Sequence, residues 1–301
     1  MGQLQPFYSI IIPTYARPVQ LAECLEALAR LEFPRESFDV IVVDDGSASP
    51  LEGLVQRFRD HLDISLVTAA HAGPAAARNR GADRATGRFF AFTDDDCRPA
   101  PDWLHALAVR CAAVPDHIVG GRTVNALPGN PYATTSQLIL DVAYAHYNAE
   151  GAAAKFFASN NLTIPADRFR AIGGFNANFT TSEDRELCDR WLHHGYRMTY
   201  APEAVVYHAH ALSLRRFWWQ HFGYGRGAWR FHHIRAQRGS RFEPDWIFYR
   251  RLGVAPLAKV RGPRMPTIAA LLLLSQVANG AGFFYERRQR REAATARVHR
   301  V

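Results

Sequence analysis

Three consecutive aspartates, Asp94, Asp95 and Asp96, close an apolar aromatic run, Phe89-Phe90-Ala91-Phe92-Thr93. Such a run reads as a buried strand. Three carboxylates at its end repel one another and raise each other's pKa unless a positive charge stands among them. A divalent cation is the simplest candidate, because Mg2+ and Mn2+ take oxygen ligands and are held by one or two carboxylates plus substrate phosphates. The competing reading is a solvated acidic turn capping the next helix. Two further acidic pairs draw attention. Asp44-Asp45 precedes Gly46-Ser47 and Glu183-Asp184 opens a helical pattern, while His208 ends a short apolar run, Ala204–Tyr207. Taken singly, these read as a turn, as charges at a helix N-terminus, and as a structural histidine.

The elements that must position these groups alternate. Residues 7–12, 38–43, 64–67 and 89–93 are predicted strands. The spacing predicts helices over 18–31, with Leu21, Cys24, Leu25, Leu28 and Leu31 on one stripe, and over 51–61, 73–85 and 103–114. Helices are also expected over 137–147 and 185–194, a polar-interrupted strand over 156–164, and a last strand over 204–208. Alternating strands and helices mean βαβ units around a mostly parallel sheet, whose ligands bind beyond the carboxyl ends of the strands. Residues 13–17, 44–47 and 94–96 all follow strand ends, so they are expected on one rim, which favours the metal–phosphate reading. No GxGxxG and no GxxxxGK[ST] follows a strand, which argues against a dinucleotide fingerprint and a P-loop.

The 301 residues are 48 % hydrophobic, enough for a sizeable core, and the four cysteines form no CxxC pair. The N-terminal residues show no secretory pattern, so a cytoplasmic body is expected. The net charge of +8 is uneven: residues 215–301 carry 18 of the 36 Lys/Arg and only 4 of the 28 acids. That asymmetry points to an anionic partner for the C-terminal part, whether lipid, phosphorylated acceptor or nucleic acid.

In order, Ile10–Arg17, Val42–Ser47, Gly73–Gly81, Phe92–Asp96, Gly173–Phe175 and Ser182–Asp184 resemble the motifs of inverting family-2 glycosyltransferases with the GT-A fold. The resemblance implies an α/β, Rossmann-like sheet flanked by helices over residues 1–211. Residues 7–120 would be its nucleotide-binding half and 121–211 its acceptor half. It implies a nucleotide-diphosphate sugar donor and a divalent metal, Mg2+ or Mn2+. Pro13, Tyr15 and Arg17 would line the base and ribose pocket, and Asp44 or Asp45 would accept a hydrogen bond from the base. Gly73 would let the chain approach the nucleotide, with Arg78 beside it. The family's Asp-x-Asp motif falls on Asp94-Asp95-Asp96, Asp94 reaching the ribose or sugar and Asp96 the metal; His208 would complete the metal shell. Of Glu183 and Asp184, the second matches the family's catalytic base. The acceptor would be a hydroxyl on a glycan, such as cell envelope polysaccharide, or on a lipid-linked molecule.

Residues 212–301 are expected to form a basic, aromatic, helical appendage. Pro266–Tyr285 carries no charge and is flanked by arginines on both sides. A single span would leave one basic flank outside, so a helix lying in the inner leaflet of the cell membrane is expected, with a true span or packing on the body as alternatives. Gln220-His221-Phe222-Gly223-Tyr224 departs from the Gln-x-x-Arg-Trp signature of processive members, which implies transfer of one sugar per encounter. Two other readings compete: a nucleotidyltransferase of similar fold, for which residues 13–17 lack a phosphate loop, and a basic nucleic-acid-binding protein, which RNA or DNA affinity falling steeply with salt, without nucleotide-sugar binding, would favour; no nucleic-acid partner is expected.

Overall fold

A computed structural model describes residues 7–240, 243–260 and 262–298. The chain divides into two compact units. The first comprises residues up to 126 together with 147–178 and 184–210; the second comprises 127–146, 179–183 and the chain from 211 onward.

The first unit is built on an eight-stranded sheet in the order β3-β2-β1-β4-β7-β6-β8-β5. Its strands are β1 (Tyr8–Thr14), β2 (Phe38–Asp44), β3 (Ile64–Thr68), β4 (Phe89–Phe92), β5 (Cys97–Pro99), β6 (Ile118–Asn125), β7 (Leu162–Pro165) and β8 (Met198–His208). The half formed by β1 to β4 is parallel, as the βαβ pattern requires. The other half is mixed: β7 runs antiparallel to β4 and β6, β5 antiparallel to β8, and β6 parallel to β8. Strand β4 is wholly apolar and β1 and β2 are largely so, because both their faces are covered; Ile10, Ile11, Ile12, Val42, Phe90 and Phe92 are fully buried.

Helices α1 (Pro18–Leu28), α2 (Glu52–Gln56), α3 (Pro74–Arg84) and α4 (Trp103–Ala113) connect these strands. Pro18 and Pro74 occupy first-turn positions, where a missing N–H leaves nothing unpaired. Helix α2 is a short turn rather than the expected 51–61 helix. The polar-interrupted segment turns through Ser159–Asn161 before entering β7. There Asn161 is fully buried. Its Oδ1 accepts from Trp103 Nε1 (2.9 Å), and its Nδ2 donates to the carbonyls of Arg122 and Ala204 (3.1 and 3.0 Å). These bonds sit where the β6–β8 pairing changes register: Gly121 faces Ala201, whereas Arg122 faces Val205. Helices α6 (Ala166–Ala171) and α7 (Glu183–His193) follow β7 in the chain.

The second unit is helical: α5 (Pro131–Tyr147), α8 (Leu214–Gln237), α9 (Trp246–Lys259) and α10 (Met265–Val298). Residues 127–146, assigned from the sequence to the acceptor half, belong with these helices. Leu138 and Val142 of α5 pack with Leu252, Ala255, Ile268 and Leu272, which gives its apolar face a cover. Helix α5 starts at Pro131, six residues before the expected start, because the Asn130 side chain accepts from the N–H groups of Tyr132 and Ala133 (both 3.0 Å). Helices α8 and α10 cross at glycines. A Cβ on Gly225 would lie 1.8 Å from Asn279 O, and one on Gly282 1.9 Å from Phe222 O. Beside the crossing, Glu286 is 2 % exposed and accepts from Arg226 (2.8 Å), Arg230 (2.7 Å) and Arg290 (3.1 Å). Elsewhere on α10, Leu273, Val277 and Phe284 are exposed.

Candidate active site

Strand β1 ends with Thr14, and the chain then turns sharply. Ala16 sits at φ +53°, uncommon for a residue with a side chain, and its N–H is held by Ser47 Oγ (2.8 Å). The turn brings Arg17 to the aspartates that follow β4. Its Nη1 lies 3.1 Å from Asp95 Oδ1 and 3.1 Å from Asp96 Oδ2. The remaining oxygens are held from the sheet: Thr14 Oγ1 donates to Asp95 Oδ2 (2.7 Å), and His208 Nε2 stands 3.2 Å from Asp96 Oδ1. Asp94 takes a different partner, the buried Arg78 of α3, at 2.6 Å, and the Arg78 guanidinium also lies over the Phe175 ring. The family resemblance implied that Asp94, Asp95, Asp96, Arg78 and His208 share one site, and the structure brings them together. It puts Arg17 among the carboxylates rather than in a base pocket.

These contacts set the charges. Burial pushes Asp95 up to about 6; Arg17 and Thr14 oppose the rise and Asp96 adds to it. Burial would raise Asp96 too, but the hydrogen bond and charge of His208, with His210 and Arg17, hold its carboxyl well below the usual range. Burial lowers His208, and the bond and charge of Asp96 override that and raise it. Burial and the neighbouring His208 push His210 down to about 4. The site therefore keeps one firmly ionised carboxylate beside one that protonates readily.

The donors fit a divalent cation. Oxygen and imidazole nitrogen suit Mg2+ or Mn2+, and a guanidinium nitrogen already stands between two buried carboxylates. The Cys97 thiol joins Asp96 and His208 within a 4.8 Å group. Burial drives its pKa well above the usual value, so it stays a neutral thiol.

A second cluster lies at the ends of β2 and β3. Asp44 Oδ1 accepts from Ser47 N (2.9 Å). Asp45 is 3 % exposed: Oδ1 accepts from Ala72 N (2.9 Å) and Arg80 Nη1 (3.2 Å), and Oδ2 from Gly73 N (2.8 Å), with His71 Nδ1 at 2.9 Å. Those contacts fill the acceptor capacity of a carboxylate. Asp45 thus anchors the loop before α3, and a base contact there would have to displace one of them. Gly73, at φ +90°, accommodates the loop's turn into the helix. The half-exposed Tyr15 ring stacks on His71, centroids 4.3 Å apart, and Pro13 lies in β1 opposite Val43 of β2. Glu183 is buried at the start of α7, and Asp184 accepts from Arg185 N (2.7 Å). Sequence reasoning missed Thr14, His71, Arg80 and His210. Thr14 and Arg80 lie inside motif segments and His71 stands two residues before one, which was the available signal.

A family model for "Glycosyl transferase family 2" matches residues 9–178, more than half of the chain. A pre-mycofactocin glycosyltransferase of Mycobacterium tuberculosis is 34 % identical over 193 residues, 62 % of this chain and 41 % of that protein. The chain therefore spans about two fifths of that relative's length. The mannosyltransferase PcManGT of Pyrobaculum calidifontis, solved with GDP-Man and Mn2+, superposes with a TM-score of 0.62 at 21 % identity, covering 98 % of this chain and 81 % of its own. S. aureus TarS 1-349 superposes with a TM-score of 0.60 at 15 % identity, covering 96 % and 92 %. Likeness at that identity shows the fold, the GT-A arrangement of a curled mixed sheet with flanking helices. With the motif order, the sheet and the family match in agreement, the chain belongs to glycosyl transferase family 2.

Proposed function

We propose that the protein transfers a single sugar from a nucleotide-diphosphate sugar to a hydroxyl of a glycan or lipid-linked acceptor, with inversion at the anomeric carbon. The observation that carries this reading is the convergence of Asp94, Asp95, Asp96 and His208 at the strand ends, with two arginines among them. The Mn2+ and GDP-Man held by the Pyrobaculum enzyme, and the UDP-GlcNAc held by TarS, support a nucleotide-sugar donor with a metal.

In this reading Asp96 and His208 hold the metal, with Asp95 beside them. The ion supplies Lewis-acid stabilisation of the charge that develops on the leaving diphosphate. Arg78 stays fixed against Phe175 and orients Asp94 toward the ribose or sugar. The exposed face of Tyr15 offers the base a stacking surface. Asp184 takes the proton from the acceptor hydroxyl onto a carboxylate oxygen, typically for roughly 10²–10⁴-fold in rate. Attack by that hydroxyl opposite the departing diphosphate inverts the anomeric centre.

Helix α10 is long and apolar enough to cross a membrane, with a mean hydropathy of 1.5 over its best window. Its exposed apolar face and the exposed Trp219, Arg215, Arg216, Arg287 and Arg288 suit a helix lying on the inner face of an anionic membrane. Equal flotation with anionic and neutral vesicles would argue against that placement. The catalytic reading is tested by transfer assays with a panel of nucleotide sugars and Mn2+. Asp96→Ala loses metal-dependent donor binding; Asp184→Asn keeps donor binding and loses transfer. Normal transfer by Asp184→Asn refutes the choice of base.

A further inference from the structure

We propose that Arg17 is a resident counter-cation of the aspartate site, which an incoming divalent metal must replace, so that metal and nucleoside diphosphate bind cooperatively. The inference rests on the metal-dependent reading above and adds a role that the motif order does not assign.

One nitrogen, Arg17 Nη1, serves the inward oxygens of Asp95 and Asp96 at the same distance, 3.1 Å. The outward oxygens are fixed by groups on strands, Thr14 on β1 and His208 at the end of β8. The two carboxylates are thus aimed at a common point from a rigid frame. Only the occupant of that point is movable. The Arg17 side chain is 46 % exposed, against 5 % and 8 % for its partners. Among the described residues its guanidinium makes no other hydrogen bond. A metal held by Asp96 and His208, with Asp95 beside them, would draw on these same carboxylates and repel the guanidinium at short range.

Asp94 is already paired with Arg78, so Asp95 and Asp96 supply the negative charge available to a newcomer. A divalent ion entering alone meets an occupied site and leaves Arg17 without a partner beside it. A nucleoside diphosphate removes both costs, because its phosphate oxygens complete the ion's shell and give the displaced guanidinium a bidentate acceptor. Arg17 would then move from the carboxylates to the diphosphate, becoming a substrate-binding group only when both ligands are present.

The test measures Mn2+ binding by electron paramagnetic resonance, without any sugar transfer. Wild type, Arg17→Gln and Arg17→Lys are titrated with Mn2+ alone and with Mn2+ plus UDP or GDP. Thermal unfolding of each variant confirms that it is folded. Wild type is expected to bind Mn2+ about tenfold or more tightly when a nucleoside diphosphate is present. Arg17→Gln is expected to bind Mn2+ alone about tenfold more tightly than wild type and to show a reduced gain from nucleotide. Arg17→Lys, which keeps the charge, is expected to stay near wild type. Mn2+ affinity that is unchanged or weaker in Arg17→Gln overturns the proposal, as does equal tightening in Arg17→Lys. Failure of every nucleotide sugar to react would overturn the glycosyltransferase reading instead, and would leave the Mn2+ comparison standing by itself.

Discussion

Replacing Glu286 by glutamine removes the one carboxylate that three guanidinium groups share. The side chain lies 2 % exposed between Arg226 and Arg230 of α8 and Arg290 of its own helix. Burial alone would raise its pKa. The hydrogen bonds from Arg230, Arg226 and Arg290 outweigh burial and bring it from 4.5 down to about 2. A depression of that size corresponds to about 3 kcal/mol of stability at neutral pH. Arg226 and Arg290 are 38 % and 54 % exposed. Solvent screening therefore reduces the figure to about 1–2 kcal/mol. The folded state holds the charged form more tightly than the unfolded chain does. The contribution is thus complete above the unfolded value of 4.5, shrinks steadily below it, and is gone once pH falls through about 2. Thermal unfolding of wild type and Glu286→Gln, followed from pH 7 to pH 2, reads this directly. The expected gap at pH 7 is about 2–6 °C. It should stay flat to about pH 5, close progressively below 4.5, and narrow in 1 M salt. A gap that is absent at pH 7, or that persists unchanged to pH 2, refutes the assignment of the ion cluster as a stabilising link between α8 and α10.

Two glycines in α8 make a matched pair. Alanine at either gains about 1 kcal/mol of helix propensity. At Gly225 the new methyl meets a backbone oxygen of Asn279, whereas at Gly223 the nearest atom is Thr181 Cγ2 at 3.4 Å. Gly223→Ala should be neutral or slightly stabilising, and Gly225→Ala should lose about 1–3 kcal/mol in denaturant unfolding; equal effects would contradict the tight crossing. Asn161→Leu strands the Trp103 indole N–H and the carbonyls of Arg122 and Ala204 inside the protein. A loss of about 3 kcal/mol or more and an altered tryptophan emission are expected; a variant as stable as wild type would show that these bonds do not matter.

The strands that carry the aspartates were legible because covered parallel strands are apolar runs and their ends are marked by Pro13, Asp44-Asp45 and Asp94–Asp96. Strands β5 and β6 were not. Cys97-Arg98-Pro99 is too short to show a pattern, and Gly120-Gly121 in the middle of β6 reads as a turn. The pair is there for space: a Cβ at 120 would meet the Phe157 ring at 2.0 Å, and one at 121 would meet Ala204 O at 2.2 Å. The meeting of Asp96 with His208 followed from the family pattern, since β8 reaches the site by crossing the sheet through strands that no local rule identified. The position of Arg17 was hidden for a different reason. It depends on the left-handed turn at Ala16, and alanine gives no sign of one. The early start of α5 was readable in principle from the Asn130-Pro131 pair, a capping side chain followed by proline.

The slip between β6 and β8 has a consequence for how this catalytic apparatus can change over time. Pro202, Glu203 and Ala204 have no counterpart on β6, and past them His208 stands opposite Cys97 of β5, one residue after Asp96. Because neighbouring positions on a strand point to opposite faces, shortening that bend by a single codon would turn the imidazole away from the carboxylate. Substitutions on the exposed Pro202 and Glu203 are tolerable, but their number is not. The pairing of His208 with Asp96 is thereby constrained by the length of a solvent-facing bend.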